Sequence, residues 1–314
     1  MENLLFSLNA TIPVFLLMMV GYFLRKTSLL DDQFADKLNV FVFQAALPVL
    51  LFQNLSETNF HTFWNGGMVL FCLVVSLISI LVMVGASLLL KDKSIRAEFI
   101  QGGYRGSQAL LGAALFQNIY GGAGPLALTL IGAVPLYNVA AVITLTLLSP
   151  GGGRMDRNMI RKSLRGIVTN PIILAIAAGL IWALLGIPQP AILQRTISSF
   201  AATATPLGLI ALGASINVRK AASSLKLALV CSVFKLIIFV GLFLPVAVWL
   251  GYRNELLVGI LIMLASPATV SCFTMARSMG HDGTLSSSTI VLSTLLSAFT
   301  LTGWLYLLRQ LSLI

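Results

Sequence analysis

Charge is scarce in this chain, and side chains that carry chemistry are scarcer still. Only 10% of its 314 residues are Asp, Glu, Lys or Arg, against about 25% in an ordinary soluble domain. The two histidines, His61 and His281, stand in different loops, so no pair has the spacing of a metal site or a catalytic dyad. There is no HxxxH, no CxxC and no Gly-rich phosphate loop. Cys72, Cys231 and Cys272 all fall in hydrophobic runs, where a thiol behaves as a small apolar group. An odd number of such cysteines gives no disulfide framework. The ten acidic residues lie in loops or at the ends of runs, so the usual intramembrane proton-relay carboxylate is missing. These absences exclude a soluble metalloenzyme, a nucleotide-binding enzyme and a disulfide-stapled secreted domain. They also withhold the Ser/His or paired-carboxylate dyad that an intramembrane enzyme needs, so no enzyme, no metal and no cofactor is expected.

What is present is apolar length. Hydrophobic residues make up 58% of the chain, and the mean hydropathy is +0.95. The expectation is an all-α membrane protein with ten spans, each near the ~20 residues a bilayer requires. They are drawn at Leu4–Leu24, Lys37–Leu55, Met68–Leu90, Phe99–Tyr120, Leu126–Leu148, Ile167–Leu185, Ile197–Ile216, Leu227–Leu250, Leu256–Ser278 and Leu285–Leu308. The first does not read as a cleavable signal, because Glu2 precedes it and no basic n-region does.

The net charge of +10 is distributed by face rather than gathered for nucleic acid. Loops on one face carry Arg25, Lys26, Lys91, Lys93, Arg96, Arg154, Arg157, Arg161, Lys162, Arg165, Arg219, Lys220, Lys226 and Arg277, fourteen in all. The other face has three: Arg195, Arg253 and Arg309. The positive-inside rule then puts both termini outside the cytoplasmic membrane and the central loop inside. That loop, 149–166, separates a first five-helix repeat (1–148) from a second (167–314), and an odd number of spans in each inverts one against the other. Register agrees: AALPVLLF (Ala45–Phe52) faces TATPLGLI (Thr203–Ile210), with Pro48 and Pro206 158 residues apart. GGAGPL (Gly121–Leu126) and GHDGTL (Gly280–Leu285) are offset by 159.

Two spans in matching places are interrupted. The fourth carries Gly102-Gly103-Tyr104-Arg105-Gly106-Ser107-Gln108, and the ninth Ser266-Pro267-Ala268-Thr269. A helix in lipid must satisfy its own backbone, so such breaks persist only inside protein or beside a watery cavity. Paired breaks in repeated halves point to a substrate site at the membrane midplane. The amides after each break would offer donors and a positive helix end to an anion. The candidate substrate-binding residues are Ser107, Gln108, Ala109, Pro267, Ala268, Thr269, Ser271 and Lys235. The candidate hinges are Pro48, Gly103, Gly106, Pro206 and Pro267. Lys235 stands about nine residues into the eighth span, ~13 Å along a helix. A lysine snorkelling to the headgroups and a buried functional ammonium both fit. Arg105 reads either as an end anchor or as a second cation at the site.

GYFLRKTSLLDDQFADKLNVFVFQAALPVLLF (Gly21–Phe52), ATPLGLIALGASI (Ala204–Ile216) and LASPATVSCFTMARSMGHD (Leu264–Asp282) together resemble the auxin efflux carrier family in its prokaryotic form. The resemblance runs over essentially the whole chain. It implies the fold of the bile-acid symporters and sodium–proton antiporters. In that fold helices 4 and 9 cross at the site, one bundle serves as scaffold and the other as moving core. It implies transport of a small organic anion, auxin in plants and malate or other carboxylates in bacteria. The chain departs from the plant pattern at Gly106-Ser107-Gln108, where a Pro-Asn crossover stands, and at Ala268 or Thr269, where an Asn stands. A sodium-coupled symporter, a channel and a sensor on the same fold are the other readings. The coupling ion, sodium or proton, stays open, as does a homodimer.

Overall fold

The computed structural model describes residues 2–56, 64–121, 125–149, 169, 171–214 and 224–314. Most of the central connector therefore lies outside the described residues. Every regular element among the described residues is helical. The helices are α1 (Glu2–Lys26), α2 (Asp32–Phe41), α3 (Leu47–Ser56), α4 (Gly66–Ser87), α5 (Arg96–Tyr104), α6 (Ala113–Tyr120), α7 (Leu126–Leu147), α8 (Pro171–Leu185), α9 (Ala191–Ala201), α10 (Ala204–Ala214), α11 (Leu225–Val233), α12 (Phe239–Trp249), α13 (Asn254–Ala265), α14 (Ser271–Ser278) and α15 (Thr284–Gln310).

Among the described residues seven stretches are long and apolar enough to cross a membrane: Leu5–Lys26, Gln33–Gln53, Gly66–Ser87, Leu126–Leu147, Ala191–Ala214, Leu225–Trp249 and Thr284–Gln310. They correspond to seven of the ten spans drawn above. Ile173–Leu185 and Asn254–Ala265 are apolar but shorter. The fourth and ninth spans are each divided, into α5 and α6 and into α13 and α14, which is why neither contains a long helix.

Local chemistry sets the ends. Asp31 accepts from the Phe34 amide at 2.6 Å, and Asn65 from the Met68 amide at 2.9 Å. Each side chain satisfies one of the donors that a helix start leaves unpaired. Gly121 ends α6 at φ +75°, a left-handed closure that suits glycine. Pro48 and Pro206 mark irregular places. A π-helical turn, Val42–Ala46, precedes Pro48. Pro206 sits in the first turn of α10, where its missing N–H leaves nothing unpaired.

Small residues let the helices approach. The α1 and α10 backbones touch through Gly21 against the Ile210 carbonyl and Gly213 against the Met18 carbonyl. The helix α8 packs on α3, α4 on α7, and α11 on α15. At Gly179 a Cβ would come within 3.0 Å of the Phe52 carbonyl oxygen, and at Gly132 within 2.6 Å of the Val69 carbonyl oxygen. The buried side of this assembly is dominated by Leu, Ile, Val, Ala and Phe. Into it are set the few polar groups described next.

Candidate functional site

The two breaks meet. After Tyr104 the chain turns extended at Arg105, φ −81° and ψ +116°. After Ala265 it does the same at Ser266, φ −65° and ψ +141°. Gly106 and Ala268 then pair as an isolated antiparallel bridge. The Ser107 amide donates to the Pro267 carbonyl at 2.7 Å, and the Ala268 amide donates to Ser293 Oγ on α15 at 3.0 Å. The second break thus supplies an acceptor to the first and α15 supplies one to the second, which lowers the cost of unsatisfied backbone at depth. The Ser107 amide is spent on the other break and the Ala268 amide on α15, so any backbone donor to an anion comes from residues beyond them.

The first break is narrower than its sequence indicates. Gly102 and Gly103 are helical within α5. A side chain on Gly103 would run into the Met83 thioether, so that glycine serves packing. Gly106 has a different reason. A Cβ there would stand 2.5 Å from Ser266 Oγ and 3.0 Å from Lys235 Nζ, so only glycine lets the other break and the lysine close on it.

Beside the bridge is a cavity of about 60 Å³ whose lining includes Arg105, Gln108, Asn138, Thr269, Ser271 and Phe43. Ser107, Ala109 and Tyr137 also face it. Of the residues singled out from sequence, Ser107, Gln108, Ala109, Thr269 and Ser271 share this cavity, whereas Pro267, Ala268 and Lys235 do not line it. The Thr269 and Ser271 hydroxyl oxygens lie 3.5 Å apart. Gln108 is 1% exposed, and neither its Oε1 nor its Nε2 has a hydrogen-bond partner among the described residues. A buried amide left in that state costs about 1–3 kcal/mol.

Arg105 is 7% exposed. One of its terminal nitrogens donates to Asn138 Oδ1 at 2.6 Å and the other contacts Met275 Sδ at 2.8 Å. Both partners are neutral, and no carboxylate of the described residues accepts from the guanidinium. Arg105 is therefore a fixed positive charge on the cavity wall, not an anchor at a helix end. Sequence reading left both possibilities open for it and passed over Asn138 altogether. The signal for Asn138 is a lone amide in the middle of a span, three residues after Pro135.

Lys235 lies in a π-helical turn, Phe234–Ile238, and is 1% exposed. Its ammonium donates to the Tyr104 carbonyl at 3.0 Å, the last residue of α5. Its ammonium is thus held inside the assembly by a backbone carbonyl of α5. The π turn frees a carbonyl, and the Trp304 indole donates to that of Leu236 at 2.9 Å. A further buried charge was not singled out from sequence. The Glu98 carboxylate accepts from the Gly283 amide and from the Ser286 amide, each at 2.8 Å, and so caps α15 from another helix. Gln101 Nε2 donates to the Cys272 carbonyl at 2.8 Å, tying α5 to α14. No cluster of His, Cys, Asp and Glu among the described residues could hold a metal ion.

The comparisons with known proteins bear on this geometry. The model of a family described as "Membrane transport protein" matches residues 6–305. A relative in Rhizobium meliloti (strain 1021) is 28% identical over 318 residues, covering 95% of each chain, and carries the name "Putative malonate transporter".

Proposed function

The chain belongs to the membrane transport protein family, that of the auxin efflux carriers, and on that premise we propose that it carries a small dicarboxylate of malonate type through the cavity beside the two breaks. It is a multi-pass membrane transporter and not an enzyme. The observation that carries the substrate class is the pairing of Arg105 and Gln108 on one cavity wall. A buried guanidinium with only neutral partners calls for an anion, and its planar fork suits a carboxylate. The unpartnered Gln108 amide can donate to a second oxygen. Thr269 and Ser271 add hydroxyls from the other break. The name of the bacterial relative, at 28% identity, agrees with a short dicarboxylate.

The mechanism follows from where the site stands. Ten crossings arise when the seven long helices are joined by the shorter α8 and by the two broken spans, each broken span counting as one. The packing supports an inverted repeat: α1 on α10 has its counterpart in α8 on α3, and α4 on α7 in α11 on α15. In this reading α1–α3 with α8–α10 form the scaffold. The remaining helices form a core that carries the bridge and the cavity from one side of the membrane to the other. The excess of cationic loops on one face orients both termini outward. Ser94, exposed in the loop before α5, is then cytoplasmic. A Ser94→Cys protein should resist an impermeant maleimide in intact cells.

The function is tested by uptake of radiolabelled malonate into vesicles containing the purified protein. Uptake above empty vesicles, competed by unlabelled malonate but not by its dimethyl ester, is the expected result. Equal competition by the uncharged ester would exclude carboxylate recognition.

A further inference from the structure

The side chains around Arg105 decide how much of its charge reaches the cavity. A cation this far buried is ordinarily paired with a carboxylate, because a lone charge out of water is costly. Here the hydrogen-bonding partners are the Asn138 amide oxygen at 2.6 Å and the Met275 thioether at 2.8 Å. Neither cancels a positive charge.

Asn138 is oriented by its own helix before it meets the arginine. It stands on α7, and its Nδ2 donates to the Val134 carbonyl one turn earlier at 3.1 Å. That bond uses the donor end of the amide and leaves Oδ1 to face the guanidinium. The reverse orientation would set an NH2 group against an N–H donor, with nothing between them to accept. The register of α5 on α7 is held by the preceding residues. The Tyr104 hydroxyl donates to the Tyr137 carbonyl at 3.2 Å, and the two rings pack with centroids 5.4 Å apart. Consecutive residues at the end of α5 therefore meet consecutive residues of α7, Tyr104 on Tyr137 and Arg105 on Asn138. Asn138 is itself 7% exposed and lines the cavity with Arg105.

An aspartate has nearly the shape of asparagine, and its carboxylate would accept from the same nitrogen more strongly. It would also neutralise the guanidinium. Asparagine gives the geometry of an ion pair without its neutralisation. We propose that Asn138 is a positioning residue, which aims the Arg105 fork from α7 and leaves its charge uncancelled for a carboxylate of the substrate.

This rests on the carboxylate reading above, and the experiment separates the two. Melting temperatures are measured for the purified wild type, Asn138→Asp, Arg105→Gln and the double variant, without malonate. Asn138→Asp should melt at or above the wild-type temperature, because the new carboxylate pairs with Arg105. In the Arg105→Gln background the same change should lower the melting temperature by several degrees, because the buried carboxylate then has no cation. An effect of Asn138→Asp that is the same in both backgrounds shows the two side chains uncoupled and overturns the proposal. So does an Asn138→Asp protein that does not fold. No substrate is present, so these results stand whatever the cargo.

The second arm titrates malonate. The concentration giving half-maximal stabilisation should rise at least about thirtyfold in Asn138→Asp, the scale of a lost buried charge pair. It should rise only about fivefold in Asn138→Ala, which loses the aim of the fork but keeps its charge. Stability and binding thus move apart in Asn138→Asp, which a purely structural asparagine would not produce. A wild-type malonate response in either variant, or a weaker effect in Asn138→Asp than in Asn138→Ala, overturns the proposal. Absence of any malonate response in the wild type would instead count against the substrate and leave the melting cycle to decide the pairing of Asn138 with Arg105.

Discussion

The two breaks do the same backbone job by different means, and they bring different chemistry to the cavity. The first is opened by glycine. Gly106 is there because Ser266 Oγ and Lys235 Nζ come too close for any side chain. The second is opened by proline, which forbids Pro267 a donor and leaves its carbonyl to accept from Ser107. The first break carries the long polar side chains, Arg105 and Gln108. The second carries only the hydroxyls of Thr269 and Ser271. An inverted repeat would make the two equivalent, so the difference measures how far the halves have diverged in role. Under the proposed function, one half would supply the charge that selects the anion, and the other the backbone partner and the shape.

The largest effect expected from this contrast is at Arg105. Arg105→Gln should lower malonate uptake at least a hundredfold while the protein still inserts and melts near the wild-type temperature, since its present partners are neutral. A comparable loss in Thr269→Val would erase the distinction between the breaks.

Next comes Gly106→Ala. The added methyl must displace Ser266 or Lys235, and overpacking of this kind costs about 1–3 kcal/mol. The melting temperature should fall by several degrees and uptake should fall with it. Pro267→Ala, which keeps the carbonyl that accepts from Ser107, should be milder. If the two substitutions are equally mild, the bridge is not what holds the site.

Gln108→Leu should separate binding from stability. It removes a buried amide that has no partner, so stability should hold or rise. The KM for malonate should rise about tenfold, which corresponds to about 1.4 kcal/mol of binding. A lowered melting temperature with unchanged KM would assign Gln108 to packing.

The smallest effect belongs to the second break. Thr269→Val and Ser271→Ala should each change uptake only a few-fold, because hydroxyls adjust and also bond to nearby groups.

Much of this was legible in the sequence, and the reason is physical. The long spans declare themselves because lipid demands uninterrupted apolar runs. Pro48 and Pro206 announce irregular helices by their missing donors. The Ser266-Pro267-Ala268-Thr269 break appears where proline forces it, and the structure interrupts the helix at the same residues. The glycine break is less legible, because glycine is tolerated inside membrane helices. Gly102 and Gly103 stay helical, and only the close approach at Gly106 separates it from them. Which side chains share a cavity is a long-range property. Arg105 and Asn138 are 33 residues apart and meet only when α5 and α7 pack. Glu98 meets Gly283 and Ser286 at still greater separation, so its position at the end of a run gave no sign of its burial.

The central claim is that Arg105 makes the cavity a carboxylate site. It is tested most directly by the melting temperature of purified wild-type and Arg105→Gln proteins titrated with malonate, with its dimethyl ester as control. The account predicts saturable stabilisation of the wild type by malonate, none by the ester, and none of Arg105→Gln by either. Equal stabilisation of both proteins by malonate would contradict it.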